Sequence, residues 1–172
     1  DNTVFQKIRR LLVKKVIERL GELSKEEPEK FRQFHDTFGN MIREGVGTDF
    51  ENRQKLASLM RFPSTKAEGK ELVSLDDYIA RCQFGQKKIY YLGGADQATS
   101  ARHPHLEVFH KRGREVLLLP EPIDEWALTA LHKYQDFELQ SIDAADLSLP
   151  DAPDIATPAE PISAGFEKVL EI

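Results

Sequence analysis

The stretch KKIYYLGGADQATS, residues 87–100, has the residue types of a phosphate-binding loop: an apolar strand, two glycines and then a helix start. Such loops need glycines at fixed intervals so that backbone N–H groups can approach phosphate at a helix N-terminus. A dinucleotide loop spaces three of them as Gly-x-Gly-x-x-Gly. Here Gly93 and Gly94 are followed by Ala95 and Asp96, no third glycine is in register, and Asp96 would set an anion beside an anion. No Walker Gly-Lys-Ser/Thr is present either. The expectation is a tight strand-to-helix corner with Asp96 as the helix cap, and no cofactor-binding residue.

Three histidines crowd HPHLEVFH, residues 103–110. Two imidazoles one residue apart can chelate zinc from a strand, but Pro104 separates His103 from His105, the next residues read as helix, and no acid or cysteine stands at ligand spacing. No metal ligand is expected. His35 and His132 stand alone on helices and read as surface or boundary residues. Cys82 is the single cysteine and has no histidine near it in sequence, so neither a disulfide nor a Cys-His nucleophile is expected. Asp76–Asp77 and Asp124–Glu125 fall at helix starts, where carboxylates complement the helix dipole. They read as caps rather than acid/base pairs, and no residue receives a catalytic role. Trp126, the one tryptophan, opens a helix beside Asp124 and Glu125. An indole there is a candidate for half-burial and for contact with another chain, with core packing as the other reading.

These residues sit in a chain of 172 residues, 40% hydrophobic and 31% charged, with a net charge of −5. The length suits one domain or two small subdomains. No apolar run approaches a membrane span, and the start DNTVFQKIRR lacks a signal-peptide core. The charge is uneven. Residues 1–72 hold 15 Lys/Arg and 12 Asp/Glu, and residues 73–172 hold 9 and 17. The basic excess is densest in KIRRLLVKK, where Lys7, Arg10 and Lys14 form either an electrostatic partner surface or a solvated helix face.

Hydrophobic spacing places the elements. Phe5, Ile8, Leu12, Val16 and Leu20 predict an inward face on a helix over 4–23. Ser24 with Glu27 looks like a capping box before a second helix reaching about Arg43, with Phe31, Phe34, Phe38, Met41 and Ile42 inward and Gly45 and Gly47 as its stop. Thr48 with Glu51 looks like a further box, opening a third helix to about Met60. Ser74 with Asp77 caps LDDYIARC. IYYL (89–92), EVLLL (115–119) and FELQSI (137–142) read as strands, separated by helices reaching about Lys111 and spanning about 123–134. The fold class expected is α/β: a three-helix coiled unit over 1–60, then a small α/β/α sandwich with a short, mainly parallel sheet over 61–143. Residues 144–172 read as an acidic Pro/Ala linker followed by the first turns of another helix, GFEKVLEI.

In order and spacing, KIRRLLVKKVIERL, MIREGV, ENRQKLASLMRFPST, VSLDDYIARCQFGQKKIYYLGG, HPHLEVFHKRGREVLLL and PIDEWALTAL resemble the C-terminal half of the middle domain of the ninety-kilodalton heat-shock chaperones, most closely their bacterial type. The resemblance covers about residues 3–143. It implies a segment of an ATP-dependent chaperone that binds client polypeptides and couples an N-terminal ATPase domain to a C-terminal dimerisation domain, whose start GFEKVLEI would be. In that family ATP and magnesium belong to the N-terminal domain. The arginine that assists phosphoryl transfer lies in a loop ahead of the first matched helix, and neither Arg9 nor Arg10 matches it. The resemblance therefore implies no ATP site and no enzyme activity in this segment, although the full-length protein would be an ATPase. It further implies unfolded or partly folded clients, homodimers only at full length, a cytoplasmic setting, and no nucleic-acid or membrane partner. It points to Glu125 and Trp126 as client-binding residues. It also sets Lys7, Arg10 and Lys14 next to the ATPase loop, facing the N-terminal domain or a regulator. A stand-alone interaction module and a small α/β enzyme are the alternatives.

Overall fold

The computed structural model describes residues 2–96, 98 and 103–143. Helix α1 (Asn2–Glu26) is followed after the single residue Glu27 by α2 (Pro28–Thr48). Proline at the first helical position lacks the N–H that would be unpaired there anyway. α2 doubles back along α1, so that Arg10 Nε lies 4.0 Å from Glu51 Oε2 just past the end of α2. A short α3 (Arg53–Ser58) completes the three-helix unit.

Several expectations about this unit change. Ser24 is not a cap: its hydroxyl donates to the Gly21 carbonyl inside α1 (2.8 Å), and α2 has no side-chain cap. Gly45 and Gly47 do not end α2, which continues to Thr48. Thr48 Oγ1 donates back to the Glu44 carbonyl (2.8 Å), and it is Asp49 that organises the turn, accepting from the Asn52 N–H (3.1 Å) and side chain (2.9 Å). Finally, α1 does not bury the face expected of it. Ile17 is buried, with Val13 and Leu20 packed beside it, whereas Val4, Phe5, Ile8, Leu11, Leu12 and Val16 are exposed. The 13/17/20 stripe meets α2. The stripe through 5, 8, 12 and 16 is rotated away from it. On α2 the buried stripe is Phe31, His35, Gly39, Ile42 and Val46, and Phe38 and Met41 face outward.

Beyond residue 60 the chain forms α4 (Leu75–Ala80), β1 (Lys88–Gly93), α5 (Pro104–Lys111), β2 (Leu117–Leu119), α6 (Pro122–Leu131), β3 (Lys133–Tyr134) and β4 (Phe137–Ser141). The Ser74–Asp77 capping box is present in both directions. The sheet order is β2-β1-β4-β3, with β1 parallel to both β2 and β4. The expected helix to residue 134 ends at Leu131. His132 and Gln135 take positive φ, and Lys133–Tyr134 pairs antiparallel with β4 as a small hairpin.

Alternation along the strands covers both faces of the sheet. Ile89, Tyr91, Leu117 and Leu119 share the main core with Ile17, Phe31, Ile42 and Val46 of the helical unit and Ala127, Leu128 and Leu131 of α6. Tyr90, Leu92, Val116, Leu118 and Ile142 join Leu106 and Phe109 of α5 on the other side. The result is the α/β/α sandwich expected. The deeply buried acid Glu115 takes two hydrogen bonds from Arg81 (2.8 and 3.0 Å) and one from Ser64 (2.6 Å), which satisfies it and ties α4 to β2. The readings of residues 144–172, and of 97 and 99–102 beyond the Gly-Gly corner, lie outside the described residues.

Candidate functional site

The Gly-Gly corner joins two strands. Gly94, at φ +67°, is where the chain turns out of β1, and its N–H donates to the Leu119 carbonyl (2.9 Å), joining β1 to β2. The Glu125 carboxylate lies directly over Gly93, so close that a Cβ there would collide with it. A carboxylate there disfavours an anion at the face of Gly93. Cys82 is equally unsuited to chemistry. Burial first, and the charge of Glu115 second, push its thiol up to about 11, so little thiolate forms near neutral pH.

The paired carboxylates divide. Asp77 caps α4, while Asp76 Oδ1 accepts from Tyr134 Oη (2.9 Å) and Gln135 Nε2 (2.8 Å), pinning the β3–β4 hairpin. Asp124 is not a cap. α6 buries the stripe Asp124, Ala127, Leu128 and Leu131, and turns Asp124 into the α2 interface, where Arg43 Nε donates to its Oδ1. Burial pushes the Asp124 carboxyl up, and the hydrogen bond and charge of Arg43 oppose that shift. Arg43 and Asp124 line a cleft of about 290 Å³ with His35, Asp36, Arg61 and Glu121. His35 is buried there, where a surface or boundary position was expected, and is held neutral. Burial, then the charges of Arg43 and Arg61, lower its pKa to about 4.

With Asp124 turned inward, the next two residues of α6 must point out. Glu125 reaches over Gly93. Trp126 is 47% exposed, and its six-membered ring rests on Gly47 of α2, where a Cβ would overlap it. One face of the indole is therefore fixed by packing while the rest stays open to solvent. Gly47 also anchors a second aromatic. Its carbonyl and that of Val46 accept from the Arg53 guanidinium (3.1 and 2.8 Å), which in turn stacks 4.2 Å above the ring of Phe50. Phe50 is 78% exposed. Trp126 and Phe50 are thus two exposed aromatics tied to one point of α2, Trp126 by packing on Gly47 and Phe50 through Arg53, which binds the Gly47 carbonyl; this pair is the ledge, and Glu125 and Glu51 adjoin it in sequence. Sequence reasoning missed Phe50. The available signal was an aromatic inside the turn TDFEN, between acids, where no core can enclose it.

Lys7, Arg10 and Lys14 are exposed along α1. Arg10 leans toward Glu51, the residue after Phe50. One sequence expectation about metals also changes. An acidic partner for His103 and His105 does exist: Asp143, brought in from the far end of β4.

A sequence profile for the Hsp90 protein family matches residues 1–172. This chain belongs to the Hsp90 family. Among its relatives are the chaperone protein HtpG of Alkalilimnicola ehrlichii, 44% identical over 156 residues, and that of Actinobacillus succinogenes, 45% identical over 155 residues. Each alignment covers 90% of this chain but only 24% and 25% of the relative, so the chain spans about a quarter of their length. The middle domain of a Plasmodium falciparum heat shock protein superposes with a TM-score of 0.79 at 33% identity, over 84% of this chain and 60% of that one. The chain is an Hsp90 middle-domain segment, α/β in fold. Among the described residues, no helix is long and apolar enough to cross a membrane.

Proposed function

We propose that this segment serves an ATP-dependent chaperone by presenting the Trp126–Phe50 ledge to unfolded or partly folded client polypeptides. The observation that carries the reading is Trp126: a half-exposed indole, immobilised on Gly47, beside the outward carboxylate of Glu125. A rigid aromatic face loses little conformational entropy on contact, and such residues dominate binding energy at interfaces. Flanking carboxylates favour segments that pair apolar with basic residues. Native proteins bury much of that apolar surface, and unfolded ones expose it.

The same reading gives the segment a coupling role. The uncovered stripe of Val4, Phe5, Ile8, Leu11, Leu12 and Val16 is too extensive to be left in water by chance, and it suits packing against further domains of the same protein. Lys7, Arg10 and Lys14 lie on a different face of α1 and suit an electrostatic contact with the N-terminal domain or a regulator. On this proposal the segment is not itself an enzyme and holds no cofactor. ATP, magnesium and dimerisation belong to other parts of the full-length chaperone.

The test is a titration of the chain with a permanently unfolded, basic polypeptide, followed by Trp126 fluorescence. Saturable change is expected, weakened by Glu125→Lys. A polypeptide of inverted charge that binds as well would overturn the acidic-ledge reading.

A further inference from the structure

We propose that His103, His105 and Asp143 form a site for a divalent transition metal of the zinc class. Pro104 opens α5 and holds His103 in extended backbone at its N-cap (φ −82°, ψ 120°), while His105 falls in the first helical turn. Ile142, packed in the same core as Leu106, brings the end of β4 against that turn and delivers Asp143 to the two rings. His103 Nε2 and His105 Nδ1 each lie 3.5 Å from Asp143 Oδ1, and the three atoms all lie within 4.8 Å of one another.

That spacing is the argument. Zinc bonds of about 2.0–2.1 Å in a tetrahedron put neighbouring ligand atoms about 3.4 Å apart. Two of the three edges are therefore already at coordination length, and the third, within 4.8 Å, must close to match them. A hydrogen bond would draw nitrogen and oxygen to about 2.9 Å instead, and His105 Nδ1, shielded from solvent, makes none. The rings are crossed, with centroids 5.4 Å apart at 78°, so neither blocks the other's nitrogen. Two imidazoles and one carboxylate suit zinc, cobalt or copper rather than calcium or magnesium, which take oxygen donors. Each of the three residues is partly exposed, so the ion has an entry path and water can complete the tetrahedron. A bound ion would clamp the end of β4 to the start of α5.

The experiment uses the tag-free chain titrated with cobalt(II), read by visible d–d absorption, followed by zinc displacement. Tetrahedral absorption saturating at equimolar cobalt, abolished by equimolar zinc, is expected. His105→Gln and Asp143→Asn should each weaken binding at least about tenfold, the lower end of what even outer-shell changes cost metal sites. His110→Gln and His132→Gln should bind as the parent does. Zinc should also raise the melting temperature of the parent and not of the Asp143→Asn chain. Absorption unchanged in His105→Gln and Asp143→Asn, or equally lost in His110→Gln, would overturn the assignment, as would no saturable binding at micromolar metal.

Discussion

The indole of Trp126 rests on the backbone of Gly47, at a separation that no side chain at position 47 could share. In an exposed helix interior, Gly→Ala ordinarily stabilises by about 0.5–1 kcal/mol through backbone entropy. Here the added methyl meets a ring that packing holds in place, and displacement opposes propensity. Gly47→Ala is expected to shift Trp126 emission to longer wavelength and weaken client binding without raising the melting temperature. A higher melting temperature with unchanged emission would show that the indole does not depend on Gly47.

Arg43 and Asp124 hold α6 to α2 from the inside, with side chains 10% and 1% exposed. Removing one member leaves the other charge buried and unpaired, which costs about 3–5 kcal/mol. Arg43→Ala should therefore destabilise strongly in urea unfolding, while Arg43→Met combined with Asp124→Leu should recover much of that loss. A double variant as unstable as the sum of its singles would mean that the two charges do not act as a pair.

His35 makes stability pH-dependent with a defined sign. Its pKa is about 4 in the fold, against an ordinary value of 6.5. The unfolded chain takes up a proton that the folded chain refuses between those values. His35's contribution is thus complete above pH 6.5 and is lost as pH falls toward 4, by at most about 3 kcal/mol. His35→Phe should flatten the stability profile over that window relative to the parent. Parallel profiles would place the acid sensitivity elsewhere.

Lys7 and Lys14 are solvent-exposed charges that contribute little to folding. In the full-length chaperone, Lys7→Glu with Lys14→Glu should slow ATP hydrolysis and leave the melting temperature unchanged. An unaltered rate, with and without client, would return them to an ordinary solvated helix face.

The elements were largely legible because their signals are local. Alternating and continuous apolar runs gave the parallel strands, and Ser74–Asp77 gave the cap of α4. What was illegible depends on partners distant in sequence. The 5/8/12/16 stripe of α1 has the periodicity of a core face, yet periodicity cannot say which neighbour covers it. Gly47 looked like a helix stop because nothing local reveals an indole arriving from residue 126. His35 reads as a lone polar residue until Phe31, Arg43 and Arg61 close around it. Asp143 lies 38 residues beyond His105, outside any ligand-spacing rule. Trp126 and Glu125 were legible as candidates because a helix start beside acids rarely encloses an indole. Phe50 offered a similar signal in the turn TDFEN, but that Arg53 stacks over it and ties it to Gly47 is visible only in the fold.

The most direct test of the ledge as a client surface is Trp126→Arg, measured for affinity toward an unfolded client and for thermal melting in the same preparation. Loss of an aromatic anchor should weaken binding by about 1–3 kcal/mol, and the half-exposed position should hold the melting temperature within a few degrees of the parent. Unchanged affinity, or a fall in melting temperature of the size expected for a charge forced into a core, would contradict the account and make Trp126 a structural residue.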